Sequence, residues 1–146
     1  MAKGKLSLNQ ALKEMTRDKP DLKKVFGLLE KSAQQNNHEA LYALGTWYLH
    51  GRFVKKNIFL AVKYFTKSIE GDNRNAYYDL ALCYEKGEGV KKNYKKAFAF
   101  YLKAALLGDD QSLYEVGRCF YYGIGISRNQ NIGSIWIKHA KRKGVK

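Results

Sequence analysis

Residues 76–109 read AYYDLALCYEKGEGVKKNYKKAFAFYLKAALLGD, and this stretch decides the fold. Ala76, Leu80, Ala81 and Tyr84 recur at helical spacing, which gives the first half one apolar face. Gly87-Glu88-Gly89 stops that helix, because glycine takes the positive φ of a C-terminal cap at little cost. Asn93 is a strong N-cap for a second helix. The apolar face of that helix is Ala97, Phe100, Tyr101, Ala104 and Ala105, and Gly108-Asp109 ends it. The stretch is therefore a helix–loop–helix hairpin. Small residues at Ala76, Ala81, Ala97 and Ala104 let its two helices approach closely.

The hairpin recurs along the chain. Gly51, Gly87 and Gly123 stand 36 residues apart. Ala40, Ala76 and Ser112 keep the same period, as do Tyr48, Tyr84 and Phe120, then Asn57, Asn93 and Asn129, then Tyr64, Phe100 and Trp136. One period earlier the ruler lands on Asp21, Val25, Leu28, Lys31 and Ser32. A fixed period of this length marks a stack of near-identical units, each burying its apolar face on its neighbours. The chain reads as one repeat domain over 1–146, all-α, with repeats at 40–75, 76–111 and 112–146 and a degenerate capping repeat at 4–39. In that first repeat Ser7-Leu8-Asn9-Gln10 resembles a capping box and is expected to start the first helix. Lys19-Pro20-Asp21 replaces the glycine loop and opens the second helix.

A length of 146 residues fits one domain, and 45% hydrophobic and 14% aromatic content suffice for a stack. No apolar run approaches the roughly 18 residues of a membrane span, so no membrane is expected. The start, from Met1 to Leu6, has charge but no apolar core of a secretory signal. Cys83 and Cys119 are the only cysteines and lie one period apart. Packed helix axes are about 8–10 Å apart, whereas a disulfide needs Cα atoms within about 7 Å. They read as two buried free thiols, which fits a reducing cytoplasm.

The pattern Ala76, Leu80, Tyr84, Gly87, Gly89, Val90, Asn93, Lys96, Ala97, Phe100, Tyr101, Lys103, Ala104, Ala105 and Gly108 resembles the Sel-1-like repeat, a relative of the tetratricopeptide repeats. The resemblance covers nearly the whole chain. Gly51-Arg52-Phe53 departs from it by lacking the second loop glycine, and Gly71 sits one place earlier than Gly108. The resemblance implies a right-handed α-solenoid that acts as a scaffold or adaptor for other proteins. It also implies no catalytic residues, and relatives that often regulate or neutralise a partner in bacteria.

The residues themselves give no chemistry of an enzyme. His38, His50 and His139 are scattered over different helices or helix ends, with no metal-ligand spacing. The Gly87-Glu88-Gly89 and Gly123-Ile124-Gly125 loops follow helices, whereas phosphate-cradling glycines follow a strand. No cofactor or metal site is read. By analogy with tetratricopeptide stacks, the first helix of each repeat lines a concave groove. Its solvent-facing positions are then Tyr42, Thr46 and His50, next Tyr78, Leu82 and Lys86, next Tyr114, Arg118 and Tyr122. Tyr42, Tyr78 and Tyr114 form a column, and tyrosine suits low-entropy interface contacts. Ordinary repeat packing is the competing account of that column. Thr46, Leu82 and Arg118 differ among repeats, as do His50, Lys86 and Tyr122, although packing alone would keep them alike.

Charge adds a second signal. The net charge is +14, from 27 basic and 13 acidic residues. Beyond Glu115 come Arg118, Arg128, Lys138, Lys141, Arg142, Lys143 and Lys146 with no acid among them. A second basic line runs over the loops at Lys19, Lys55-Lys56, Lys91-Lys92 and Arg128. Such a field draws anionic partners. The reading is an adaptor that binds an acidic protein through its groove and C-terminal repeat, with Tyr121, Lys138, Lys141 and Arg142 joining the groove residues. A specific version is an immunity or antitoxin-type protein that neutralises a bacterial effector. Two alternatives stay open. One is nucleic-acid binding, with Phe120-Tyr121-Tyr122 stacking bases. The other is a solvated lysine-rich surface with no partner. Ile135, Trp136 and Ile137 on the last helix either leave an apolar patch for a dimer or partner, or pack inward.

Overall fold

A computed structural model describes residues 2–146. The helices are α1 (Lys5–Met15), α2 (Leu22–Gln34), α3 (His38–His50), α4 (Ile58–Ser68), α5 (Arg74–Lys86), α6 (Tyr94–Leu106), α7 (Asp110–Tyr122) and α8 (Gln130–Arg142). A 3-10 turn, Ile69–Gly71, follows α4, and no strand forms among the described residues. The all-α hairpin reading holds throughout. The chain forms two compact halves, Met1–Asn73 and Arg74–Lys146, each made of two hairpins.

One loop geometry builds three of the four hairpins. The first helix ends where Gly51, Gly87 or Gly123 takes a φ of 67°, 72° or 75°. The Gly87 and Gly123 N–H groups return to the Cys83 and Cys119 carbonyls at 2.8 Å. The chain then extends to Asn57, Asn93 or Asn129, whose side chain accepts from the N–H three residues on. The same asparagine's own N–H donates to the preceding helix, to Tyr48, Tyr84 or Phe120, at 2.7–2.8 Å. Each asparagine thus caps one helix and ties it to the other, so the period is a period of hydrogen bonds as well as of residues.

The first hairpin departs from this plan. Asp21 caps α2 by accepting from Lys24 N–H, as the sequence predicts. The capping box expected at Ser7 does not form: α1 starts at Lys5, and Ser7 is buried inside it. Tertiary bonds set the earlier start. Gly4 takes a φ of 73°, its N–H donates to Gln35 Oε1 at 2.8 Å, and its carbonyl accepts from Ser32 Oγ at 2.7 Å. Glu14 replaces the missing glycine loop by accepting from Asp21 N–H at 3.1 Å.

Each half has its own core. In the N-terminal half Leu8, Val25, Leu29, Leu41, Leu44 and Trp47 are buried together, with Phe26 against Trp47. In the C-terminal half the core is Ala81, Ala97, Tyr101, Val116, Cys119 and Ala140. Helices meet there through small residues: a Cβ on Gly117 would lie 2.9 Å from the Gly133 carbonyl oxygen, and one on Gly133 would lie 2.7 Å from that of Gly117. Ala81 and Ala97 stand one period before these glycines, and they are fully buried, as are Ala76 and Ala104. Cys83 and Cys119 are free buried thiols.

Candidate functional site

In the C-terminal half, the first helices α5 and α7 carry Tyr78, Leu82, Tyr114 and Arg118, and all but Arg118 are apolar groups packed against one core cluster. Tyr78 meets the buried Tyr101 edge-on, with ring centroids 5.9 Å apart. The Tyr101 hydroxyl donates to Glu85 Oε2 at 2.7 Å. Arg118 Nη2 lies 2.8 Å from both oxygens of Glu85, and its Nε donates to Glu115 Oε2 at 2.7 Å. The result is a connected network of one phenol, one guanidinium and two carboxylates.

Arg118, one of the cations in the acid-free stretch beyond Glu115, thus finds its counterions in residues that precede it. Two carboxylates hold it, and with the guanidinium they leave a local balance of one negative charge. Partial burial opposes the charge on Arg118, but its hydrogen bonds to Glu115 and Glu85 more than offset that and raise its pKa. Burial, then the bond to Glu85, pushes the Tyr101 hydroxyl well above the usual tyrosine range. Burial, then the charges of Glu115, Asp109 and Asp79, raises Tyr78 as well. Glu85 was missed by sequence reasoning although a signal existed. One period before Arg118 is Leu82, and Glu85 is one helical turn beyond Leu82 on the same face.

The other expected residues fall in distinct places. Lys86 ends α5 and is exposed. Tyr121 and Tyr122 end α7 with rings 5.0 Å apart, and Tyr122 is 66% exposed. Tyr42, Thr46 and His50 lie on α3 of the N-terminal half. Tyr42 packs on Phe65 at 5.5 Å, Thr46 Oγ1 donates to its own helix at Ala43, and His50 is exposed at the helix end. Lys138, Lys141 and Arg142 are exposed on α8, the second helix of its hairpin, so they share neither helix with the α5 and α7 tyrosines. On α8 the three apolar residues divide: Ile137 packs against Gly117, Trp136 is half-buried, and Ile135 is 66% exposed.

Among the described residues no group of histidine, cysteine and carboxylate side chains could hold a metal ion, and no helix is long and apolar enough to cross a membrane. Burial pushes the Cys83 thiol up to about 11 and the Cys119 thiol up to about 12, so neither is a nucleophile at neutral pH.

The Sel1 repeat model matches three consecutive segments, residues 38–73, 74–109 and 110–144. Each match begins at the first residue of a helix: α3, α5 or α7. The solved structures similar to this chain have the same architecture. A protective antigen present in uropathogenic Escherichia coli strains, described as displaying an SLR fold, superposes with a TM-score of 0.92 at 23% identity over 99% of this chain and 31% of its own. A Sel1 repeat protein from Oxalobacter formigenes gives 0.86 at 27% identity over 97% of this chain and 59% of its own. An immunity protein from Pseudomonas aeruginosa gives 0.62 at 22% identity over 99% of this chain and 54% of its own. The chain thus spans from about a third to three fifths of the length of these three structures. No curated protein matches it in sequence.

Proposed function

The chain belongs to the Sel1 repeat family, whose members mediate protein–protein interaction, and from that premise we propose that it is an adaptor for an acidic protein. One observation carries the sign of the partner. Beyond Glu115 the chain has no carboxylate, and Arg128, Lys138, Lys141, Arg142, Lys143 and Lys146 are all exposed and unpaired among the described residues. Arg118 is excluded from this set because Glu85 and Glu115 neutralise it. The contact surface comprises Lys86, Tyr114, Tyr121 and Tyr122 on the first helices and Lys138, Lys141 and Arg142 on α8. Tyrosine supplies anchoring area, and the cations supply steering. Within the C-terminal half, Tyr78 and Leu82 extend the surface at lower exposure; Tyr42, Thr46 and His50 on α3 are the corresponding candidate positions of the N-terminal half. The narrower version, occlusion of a bacterial effector in the manner of an immunity protein, sets which acidic partner to try first.

The test is capture of partners at two salt concentrations, followed by affinity measurements on Lys86→Glu and Tyr122→Ala. An acidic protein should be enriched, and its affinity should fall with salt and fall at least tenfold in both variants. Salt-independent binding, or wild-type affinity in both variants, would overturn the reading. Tight binding to nonspecific DNA or RNA at near-physiological salt, without an acidic protein partner, would assign the basic surface to nucleic acid instead.

A further inference from the structure

On the second-helix side of the C-terminal half, Ala105 and Leu106 of α6, Leu113 of α7, and Ile135, Trp136 and His139 of α8 line a groove of about 300 Å³. Leu106 is 72% exposed and Ile135 66%. The N-terminal half has a groove at equivalent positions, two periods earlier. It holds about 160 Å³ and is lined by Glu30, Ala33, Gln34, Leu41, Leu44, Tyr64 and Lys67. Position by position, Gln34 corresponds to Leu106, Tyr64 to Trp136 and Lys67 to His139. Lys63, which is exposed, corresponds to Ile135. The same fold is therefore built with the polar Gln34 and Lys63 in one half where the other carries the apolar Leu106 and Ile135. Packing does not require Leu106 and Ile135 to be apolar, and exposing them costs solubility.

We propose that this α6–α8 groove is a docking site for an amphipathic helix of a partner protein, with apolar anchors on one face and carboxylates flanking them. The groove takes the anchors. The flank is set by α8, where Ile135, Lys138, His139 and Arg142 follow at helical spacing on one stripe, so two cations stand within a turn of the apolar contacts. A carboxylate-flanked helix meets these cations, whereas a lysine-flanked one meets repulsion. A second copy of this chain is disfavoured by the same charges. A symmetric contact would set α8 against α8, each with Lys138, Lys141 and Arg142 and neither with a carboxylate. The proposal deepens the adaptor reading and rests on it only for the sign of the partner.

The experiment uses a labelled synthetic helix with leucines on one face and glutamates on the flanks, beside the same helix with lysines for glutamates. Binding is read by fluorescence anisotropy to the full chain and to the triple variant Leu106→Gln, Ile135→Lys, His139→Lys. That variant installs what the N-terminal half carries at Gln34, Lys63 and Lys67, so the repeat tolerates it. It also adds positive charge, so a weaker complex with the glutamate helix cannot come from lost electrostatic attraction. Leu106→Ala with Ile135→Ala is the backup variant, and circular dichroism checks the fold of both.

The expected result is binding of the glutamate helix, none of the lysine helix, and at least a tenfold loss in the triple variant. Equal binding to the variant, equal binding of the lysine helix, or no binding of the glutamate helix would overturn the proposal. So would a dimer in sedimentation that the triple variant dissolves, since a second copy would then be the occupant. Loss of glutamate-helix binding in Lys86→Glu and Tyr122→Ala but not in the triple variant would reject the groove and leave the adaptor reading standing.

Discussion

Arg118 of α7 grips Glu85 of α5, with Nη2 2.8 Å from each carboxylate oxygen. The pair joins the two first helices of the C-terminal half and orients the Tyr101 hydroxyl beneath them. The side chains of Arg118 and Glu85 are 25% and 18% exposed, so water screens the pair only in part. Arg118→Ala would leave Glu85 and Glu115 facing each other without a counterion. After discounting for the exposed fraction, we expect a loss of about 2 kcal/mol. Glu85→Gln in the Arg118→Ala background should cost less than Glu85→Gln alone. A double-mutant cycle in urea checks the coupling, and additive losses would remove the network from the stability account. A loss of partner affinity in Arg118→Ala therefore does not show that Arg118 touches the partner.

Gly125 is held to glycine by two separate constraints. Its φ is +69°, and a Cβ there would lie 2.0 Å from the Tyr94 carbonyl oxygen. At the equivalent place in the N-terminal half stands Phe53, also left-handed with a φ of 61°. Its ring sits 5.5 Å from Phe26 and 6.3 Å from Trp47, contacts that offset the roughly 1–2 kcal/mol cost of the conformation. Gly125→Ala should lose at least about 2 kcal/mol. Phe53→Gly should stay within about 1 kcal/mol of wild type, because relief of strain and loss of ring contacts oppose each other. Thermal melts of the two variants decide whether the loop glycine matters for backbone space or only for φ.

The hairpins were legible because their determinants are local. Glycine stops, asparagine caps and alanine crossings recur every 36 residues, and each acts within a few positions of itself. The phase was harder. Boundaries drawn at Ala40, Ala76 and Ser112 fall two residues inside helices that start at His38, Arg74 and Asp110. At two of these starts the caps, Asn37 and Asp109, precede the first apolar residue. What the sequence hid was tertiary. The start of α1 depends on Ser32 and Gln35, about 30 residues away. Glu85 breaks the period, standing where Leu49 and Tyr121 stand in the neighbouring repeats, and it found its partner only once the helices were side by side. The α6–α8 groove shows itself by comparing equivalent positions two periods apart, because only the structure tells which of Ile135, Trp136 and Ile137 faces water.

Cys83 and Cys119 should resist thiol reagents in the native state. Burial raises their pKa values from about 9 to about 11 and about 12. The raised values favour the folded state below the unfolded thiol pKa, and that contribution is lost as pH climbs through the folded values. We expect negligible labelling by iodoacetamide at neutral pH, rapid labelling of both thiols in denaturant, and falling stability above about pH 9. Fast native labelling at neutral pH would show that the C-terminal core opens locally.

Glu14 makes the first hairpin sensitive to acid. Its carboxylate accepts from Asp21 N–H at 3.1 Å and from Arg17 Nη1 at 3.0 Å, with Lys24 Nζ at 3.4 Å. The backbone bond from Asp21 is the largest cause of its lowered pKa; desolvation opposes it, and Lys24 and Arg17 add to the lowering. A depressed carboxylate pKa contributes stability above the unfolded value, near 4.5, and loses it as pH falls through the folded value. Wild type should therefore lose stability below about pH 4.5 more steeply than Glu14→Gln, which lacks the titrating group. Glu14→Gln should also be less stable at neutral pH, because an amide accepts the Asp21 bond more weakly and pairs with neither cation. Hydrogen exchange on α1 and α2 across this pH range reads the effect where it arises. Equal protection of wild type and Glu14→Gln at pH 7 would mean that the Glu14 carboxylate does not hold the α1–α2 turn.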